Sequence, residues 1–283
     1  MKIGFLTDYS EEIVRWANEA GFGSLELAAG PGSSLDAEKL TSRDIDDVRR
    51  ICEKNKIEIS ALGFYANHLD PDEKIRARIK DYFLKLIDVA AEMDVRVICT
   101  FAGRVPELSI EENIPIFKEV FAPYVEKAER RNVKIAFENC PMMGGHPFRG
   151  INIAFTPEAW EMMFEAIDSP YLGLEYDPSH LLWLQADYIQ AIRDFGDRIY
   201  HVHAKDTEIF YHKLGKATIY GTGWWRYRIP GWGEVDWQAV ISALMDVGYS
   251  NNLDIEHEDP VFHGPRFKEG LLLGLKHLSQ FVI

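Results

Sequence analysis

Short apolar runs alternate along the chain with longer segments whose apolar residues recur every three to four positions. The short runs predict strands at 3–6, 25–27, 57–62, 95–100, 133–137 and 253–255. Two more carry buried-strand character, one from Leu172 toward Asp177 and one from Ile199 toward His203. Between them the spacing predicts helices. The first follows Ser10, a capping hydroxyl, and stops at Gly21, with Glu11 and Glu12 favoured by the helix dipole. Others fall over 42–55, 72–93, 110–131, 188–195, 237–247 and 267–281, and one starts at Thr156-Pro157-Glu158. Pro115 and Pro123 are expected to bend or divide the 110–131 helix.

Eight strand-then-helix units imply a parallel sheet, and eight units in this length fit a closed (β/α)8 TIM barrel over a single domain, residues 1–283. A doubly wound open sheet is the alternative; no G-x-G-x-x-G follows the first strand. The pattern breaks once, over 207–236, where Trp224, Trp225, Tyr227 and Trp232 lie among glycines. A stretch this long inside a compact domain is expected to be functional, and its aromatic content argues against disorder. These tryptophans suit either a lid over a pocket or the interface of a homo-oligomer.

Charge and cysteines narrow the function. A net charge of −14 argues against nucleic acid or an anionic membrane as the main partner. Cys52, Cys99 and Cys140 have no metal-ligand spacing and give no disulfide framework. The N-terminus turns polar too early for a signal peptide, and no apolar run approaches the roughly 20 residues of a membrane span. A cytoplasmic protein is expected.

The candidate chemistry sits at strand ends. Four consecutive strand candidates end on Glu138, Asp177, His203 and Glu256. In a parallel barrel that end of every strand opens on one face. Three carboxylates and one imidazole form an oxygen-rich site for a divalent metal, with Mn2+ favoured and Zn2+, Mg2+ or Co2+ as alternatives.

Phe137-Glu138-Asn139, Asp177-Pro178-Ser179-His180, His203-Ala204-Lys205-Asp206 and Glu256, in that order, resemble the xylose isomerase-like TIM-barrel superfamily in its sugar-phosphate isomerase/epimerase branch. The resemblance spans nearly the whole chain. It implies that Glu138 and Glu256 act as acid and base beside a substrate carbon, with Asp177 and His203 completing the metal shell. The implied enzyme is a metal-dependent isomerase or epimerase that moves a proton on a keto-sugar or cyclitol through an enediolate. A lyase or dehydratase on 3-keto sugars, similar to the large subunit of C-glycoside deglycosidases and with His146 as base, is the first alternative. A non-catalytic sugar-binding barrel is the second. Where ketose 3-epimerases carry an arginine shortly after the metal histidine, this chain has Thr207-Glu208-Ile209, which speaks against an ordinary free ketose. The extra histidines that the related apurinic-site endonucleases need are missing after Thr100 and after His203.

Further candidates for substrate contact are His180, His68 at the end of the third strand, His146 with Arg149 on a glycine-rich loop, Lys205 and Trp224. Lys205 and Asp206 also suit an ion pair that positions their loop. His201 is read as structural and pointing to the opposite side of its strand from His203, and His257 as packed outward. Glu26 and Asp8 end strands and suit the pocket as well.

Overall fold

The computed structural model describes residues 1–144 and 149–282, the side chain of Arg149 excepted. The elements run β1 (Ile3–Thr7), α1 (Glu11–Ala20), β2 (Ser24–Ala28), α2 (Ser42–Lys54), β3 (Glu58–Gly63), α3 (Glu73–Glu92), β4 (Val97–Thr100), α4 (Ile110–Arg131) and β5 (Lys134–Glu138). Then come β6 (Met143–Gly144), β7 (Arg149–Gly150), α5 (Pro157–Ala166), β8 (Leu172–Tyr176), α6 (Pro178–Trp183), α7 (Tyr188–Phe195), β9 (Ile199–His203) and β10 (Asp206–Ile209). The chain finishes with α8 (Tyr211–Ala217), β11 (Trp225–Arg228), α9 (Trp237–Asp246), β12 (Leu253–Ile255) and α10 (Phe267–Leu278).

Eight strands close into a barrel in the order β1-β12-β9-β8-β5-β4-β3-β2, and every pairing around the ring is parallel. The expected TIM barrel is what forms. The main apolar core lies between the barrel's outer face and the helices, where Phe117, Phe121, Tyr124 and Phe137 pack edge to face and Phe83 packs tilted on Tyr124. The caps read from the sequence are in place. Ser10 accepts from the Ile13 amide, and Gly21 closes α1 in the left-handed region at φ 94°. Thr41 with Asp44 and Ser109 with Glu112 form capping boxes, each worth about 1 kcal/mol. The prolines do not divide α4, which runs unbroken across both.

The barrel interior is polar, and two glycines make room for it. A Cβ on Gly4 would lie 2.1 Å from Asp254 Oδ1, and one on Gly63 would lie 2.7 Å from Glu26 Oε1. The 207–236 stretch has more structure than its break in pattern predicts. β10 and β11 form an antiparallel hairpin with α8 at its tip. Buried Asp206 pins that hairpin by accepting from the amides of Thr207, Gly231 and Val235 at 2.8–2.9 Å.

Candidate active site

Glu138 is the last residue of β5, His203 the last of β9, and Asp177 and Glu256 directly follow β8 and β12. One ligand atom from each lies within 4.8 Å of all the others, so the four predicted donors converge. Asn139 ties two of these strand ends together: its Oδ1 accepts from the Asp177 amide at 2.7 Å and its Nδ2 donates to the Asp177 carbonyl at 2.8 Å. Asp177 also caps α6, its Oδ1 accepting from the Ser179 amide at 2.8 Å. That leaves Oδ2 facing the cluster, 3.2 Å from His180 Nε2 and 3.3 Å from Lys205 Nζ.

The imidazole of His203 is held by its far side. Nε2 lies 2.7 Å from Glu26 Oε2 and 2.9 Å from Glu175 Oε1. Burial opposes the charged ring, but Glu175, Glu26 and Glu256 hold its pKa well above the ordinary value; the two carboxylates at Nε2 keep a proton there, and a cation at Nδ1 would take the place of the other. Nδ1 lies 3.1 Å from Glu256 Oε2 and 3.6 Å from Glu138 Oε1. Tyr65 completes this lower layer, donating between Glu26 at 2.6 Å and Glu175 at 2.9 Å. His201 belongs to it too, which corrects the reading of its direction. Residues two apart share a face of a strand. His201 therefore points into the barrel below His203, with Nε2 3.2 Å from both Glu26 and Asp254.

Electrostatics follow from burial against charge. Burial alone would push Glu138 up, but His180, His203 and Lys205 hold it well below the usual carboxylate range. Burial, offset by Lys205 and reinforced by Glu138, pushes Glu256 up. Burial would lower the pKa of Lys205, yet Glu256, Asp177 and Glu258 keep it well above an ordinary lysine. Burial and then Glu26 raise Glu175 to about 8.

Asp177 Oδ2 and His203 Nδ1 are buried without a hydrogen-bond partner. With Glu138 and Glu256 they form a three-oxygen, one-nitrogen set that fits a divalent cation such as Mn2+ or Zn2+ once Lys205 Nζ, 3.3 Å from Asp177 Oδ2, draws back.

His180 joins the cluster, its Nε2 3.2 Å from both Glu138 and Asp177 and its Nδ1 2.8 Å from the Tyr227 hydroxyl. Lys205 joins it as well. Its Nζ sits 2.5 Å from Glu256, 3.0 Å from Glu258 and 3.3 Å from Asp177. The Lys205–Asp206 ion pair is not what forms, since Asp206 spends its carboxylate on backbone amides. Trp224 is buried against Trp183 and Ile209 and lines a cavity above the cluster. Trp232 packs elsewhere, on Phe262.

His68 is the clearest correction. It is wholly buried among Phe64, Phe83, Phe121 and Tyr124, with Nε2 2.9 Å from Thr100 Oγ1, and it does not reach the four donors. Aromatic neighbours on α3 and α4 draw it outward into the core. His257 packs on Phe267, as expected, and Asp8 is exposed. His146 lies outside the described residues.

Tyr227, Tyr65, Glu175 and Glu258 are the contributors that the strand-end pattern does not single out. Glu175 was within reach, because it precedes Asp177 by two and so shares its face.

The chain matches the family described as xylose isomerase-like TIM barrel over residues 14–278. It belongs to that family. Among curated relatives, the uncharacterized protein YfiH of Bacillus subtilis is 27% identical, with 92% of this chain and 93% of that one covered. An inosose dehydratase of Clostridium tetani is 27% identical, covering 79% and 77%. An inosose isomerase of Bacillus licheniformis is 25% identical, covering 72% and 68%. Among solved structures, that of the IOLI protein with a zinc atom bound superposes at a TM-score of 0.76 and 21% identity, over 100% of this chain and 99% of that one, a likeness of fold. Among the described residues, no helix is long and apolar enough to cross a membrane.

Proposed function

We propose that this barrel is a metal-dependent isomerase or epimerase acting on a keto-sugar or keto-cyclitol, with Glu138 and Glu256 carrying the proton. The convergence of Glu138, Asp177, His203 and Glu256 supports this most directly. A divalent cation held by these four, with Mn2+ favoured and Zn2+, Mg2+ and Co2+ as alternatives, would polarise a carbonyl and make the neighbouring C–H acidic. The zinc atom in the IOLI structure is consistent with that donor set.

The residues divide the remaining work. Glu138 and Glu256 are two carboxylates at one place, each near His203 Nδ1, so one can remove the proton and the other return it. Lys205, buried and cationic, would bond a carbonyl or hydroxyl oxygen on the substrate and balance the carboxylates. His180, oriented by Tyr227, would bond a second hydroxyl. Trp224 would help cover the bound molecule.

The relatives named inosose dehydratase and inosose isomerase support a keto-cyclitol as the first substrate to test. They also favour a second reading, dehydration, in which Lys205 or His180 would give its proton to a departing hydroxyl as water leaves. One experiment separates the readings. Keto-cyclitols and keto-sugars are incubated in deuterium oxide with Mn2+ and followed by mass spectrometry and NMR. Isomerisation or epimerisation gives an isomer of the substrate in which one hydrogen has been replaced by deuterium. Dehydration gives loss of one water. Glu138→Gln and Glu256→Gln should each abolish net turnover while leaving the barrel folded. Normal turnover in both variants with metal saturating would refute the acid/base roles.

A further inference from the structure

A cavity of about 470 Å³ opens beside the carboxylate cluster, and proton transfer makes no use of most of it. Its floor touches the cluster at two points. Tyr227 lines it and bonds His180 Nδ1 at 2.8 Å. Glu258 lines it and bonds Lys205 Nζ at 3.0 Å. A molecule bound over Glu138 and Glu256 would therefore extend into it.

The walls are unsuited to a polyhydroxylated ring. Trp183 stacks on Trp225 with centroids 4.6 Å apart and planes at 11°, and Trp225 packs on Tyr227 at 4.7 Å. Met142 and Met143 face the same space. Such walls leave sugar hydroxyls without partners, which costs free energy for each one buried. They suit a planar apolar group instead. The charged group among the described lining residues is the acidic Glu258, so a phosphate there would meet repulsion.

Size agrees. At the roughly 30 Å³ that each water takes in the liquid, the cavity has space for about sixteen loosely packed heavy atoms. A hexose has twelve, and its reacting carbon would sit over the carboxylates, outside the apolar part. Drug-sized ligands occupy pockets of about this volume.

We propose that this cavity is a subsite for a planar, uncharged aromatic substituent carried by the polyhydroxylated substrate. The inference rests on the catalytic reading above for where the sugar lies.

The test is direct binding to the full chain with Mn2+, by calorimetry and tryptophan fluorescence. The probes are phenyl β-D-glucopyranoside, methyl β-D-glucopyranoside and D-glucose 6-phosphate. The phenyl glycoside should bind about tenfold tighter than the methyl glycoside, and the phosphate weakest. Trp225→Ala should remove the phenyl preference. So should Ile219→Glu, a charge placed on a rim residue that is 54% exposed and whose replacement spares the fold. Equal affinity for phenyl and methyl glycosides overturns the subsite. So does a preference that survives both substitutions. Deuterium exchange on keto-cyclitols in the same preparation keeps the readings apart. Exchange without a phenyl preference removes the subsite alone; a phenyl preference without exchange removes the catalytic reading alone.

Discussion

His68 gives a quantitative check on where the structure puts a residue that the sequence places at the pocket. Thr100 Oγ1 donates to the Phe64 carbonyl at 2.7 Å, so its hydroxyl proton is spent. His68 Nε2, 2.9 Å away, must then be the donor, and Nδ1 is buried without a partner. The ring is thus neutral, and burial lowers its pKa from 6.5 to about 3. Below pH 6.5 the unfolded chain takes up a proton that the folded chain refuses until about pH 3. Stability therefore falls as pH drops through that window and is regained as pH rises above it. At 1.36 kcal/mol per unit, the loss between pH 7 and pH 5 is about 2 kcal/mol. His68→Phe fits the aromatic surroundings and removes the proton. Equilibrium urea unfolding of both proteins at pH 7 and pH 5 isolates the difference, because every other titrating group is shared. The wild type should lose about 2 kcal/mol more than the variant between those pH values. Equal losses would mean that His68 is hydrated or charged in the folded state, and the reasoning that removes it from the pocket would fail.

Other consequences are as specific. Glu26→Gln replaces a charged partner of His203 Nε2 and should weaken Mn2+ binding about 10–100-fold in a chelator competition assay; unchanged affinity would show that this carboxylate does not orient the ring. Asp177→Asn and His203→Ala should weaken Mn2+ affinity first, and excess Mn2+ should restore part of the exchange activity; loss that no metal concentration relieves would contradict their assignment as ligands. Asp206→Ala strands the amides of Thr207, Gly231 and Val235. It should cost several kcal/mol at about 1–3 kcal/mol per unsatisfied group, read as a lower urea midpoint with earlier proteolysis in 207–236. A stable hairpin in that variant would refute its role as the pin.

The sequence carried the barrel because each strand keeps apolar residues such as Leu25, Leu27, Ile135 and Phe137 for the core, while capping residues such as Ser10, Thr41 and Ser109 mark where helices begin. The four donors were legible for a related reason: in a parallel barrel, every strand delivers its last polar residue to the same rim. What lay deeper was harder to see. Tyr65, Glu26 and Glu175 meet only after β2, β3 and β8 have closed around the axis, and nothing local announces that meeting. His68 misled because a histidine after a strand looks the same whether it turns inward or, as here, outward among Phe83, Phe121 and Tyr124. The stretch over 207–236 hid its hairpin. Its strands are short, and its organiser, Asp206, works through backbone amides that leave no side-chain pattern.

The central claim is that Glu138, Asp177, His203 and Glu256 hold one divalent cation at the mouth of the barrel. Crystals grown with Mn2+ and measured for anomalous scattering at the manganese edge test it most directly. The account predicts a single peak about 2.0–2.3 Å from a carboxylate oxygen of Glu138, Asp177 and Glu256 and from Nδ1 of His203, with Lys205 Nζ drawn back from the carboxylates. A fully soaked crystal with no peak among these four residues, or with manganese bound through Nε2 of His203, would contradict it.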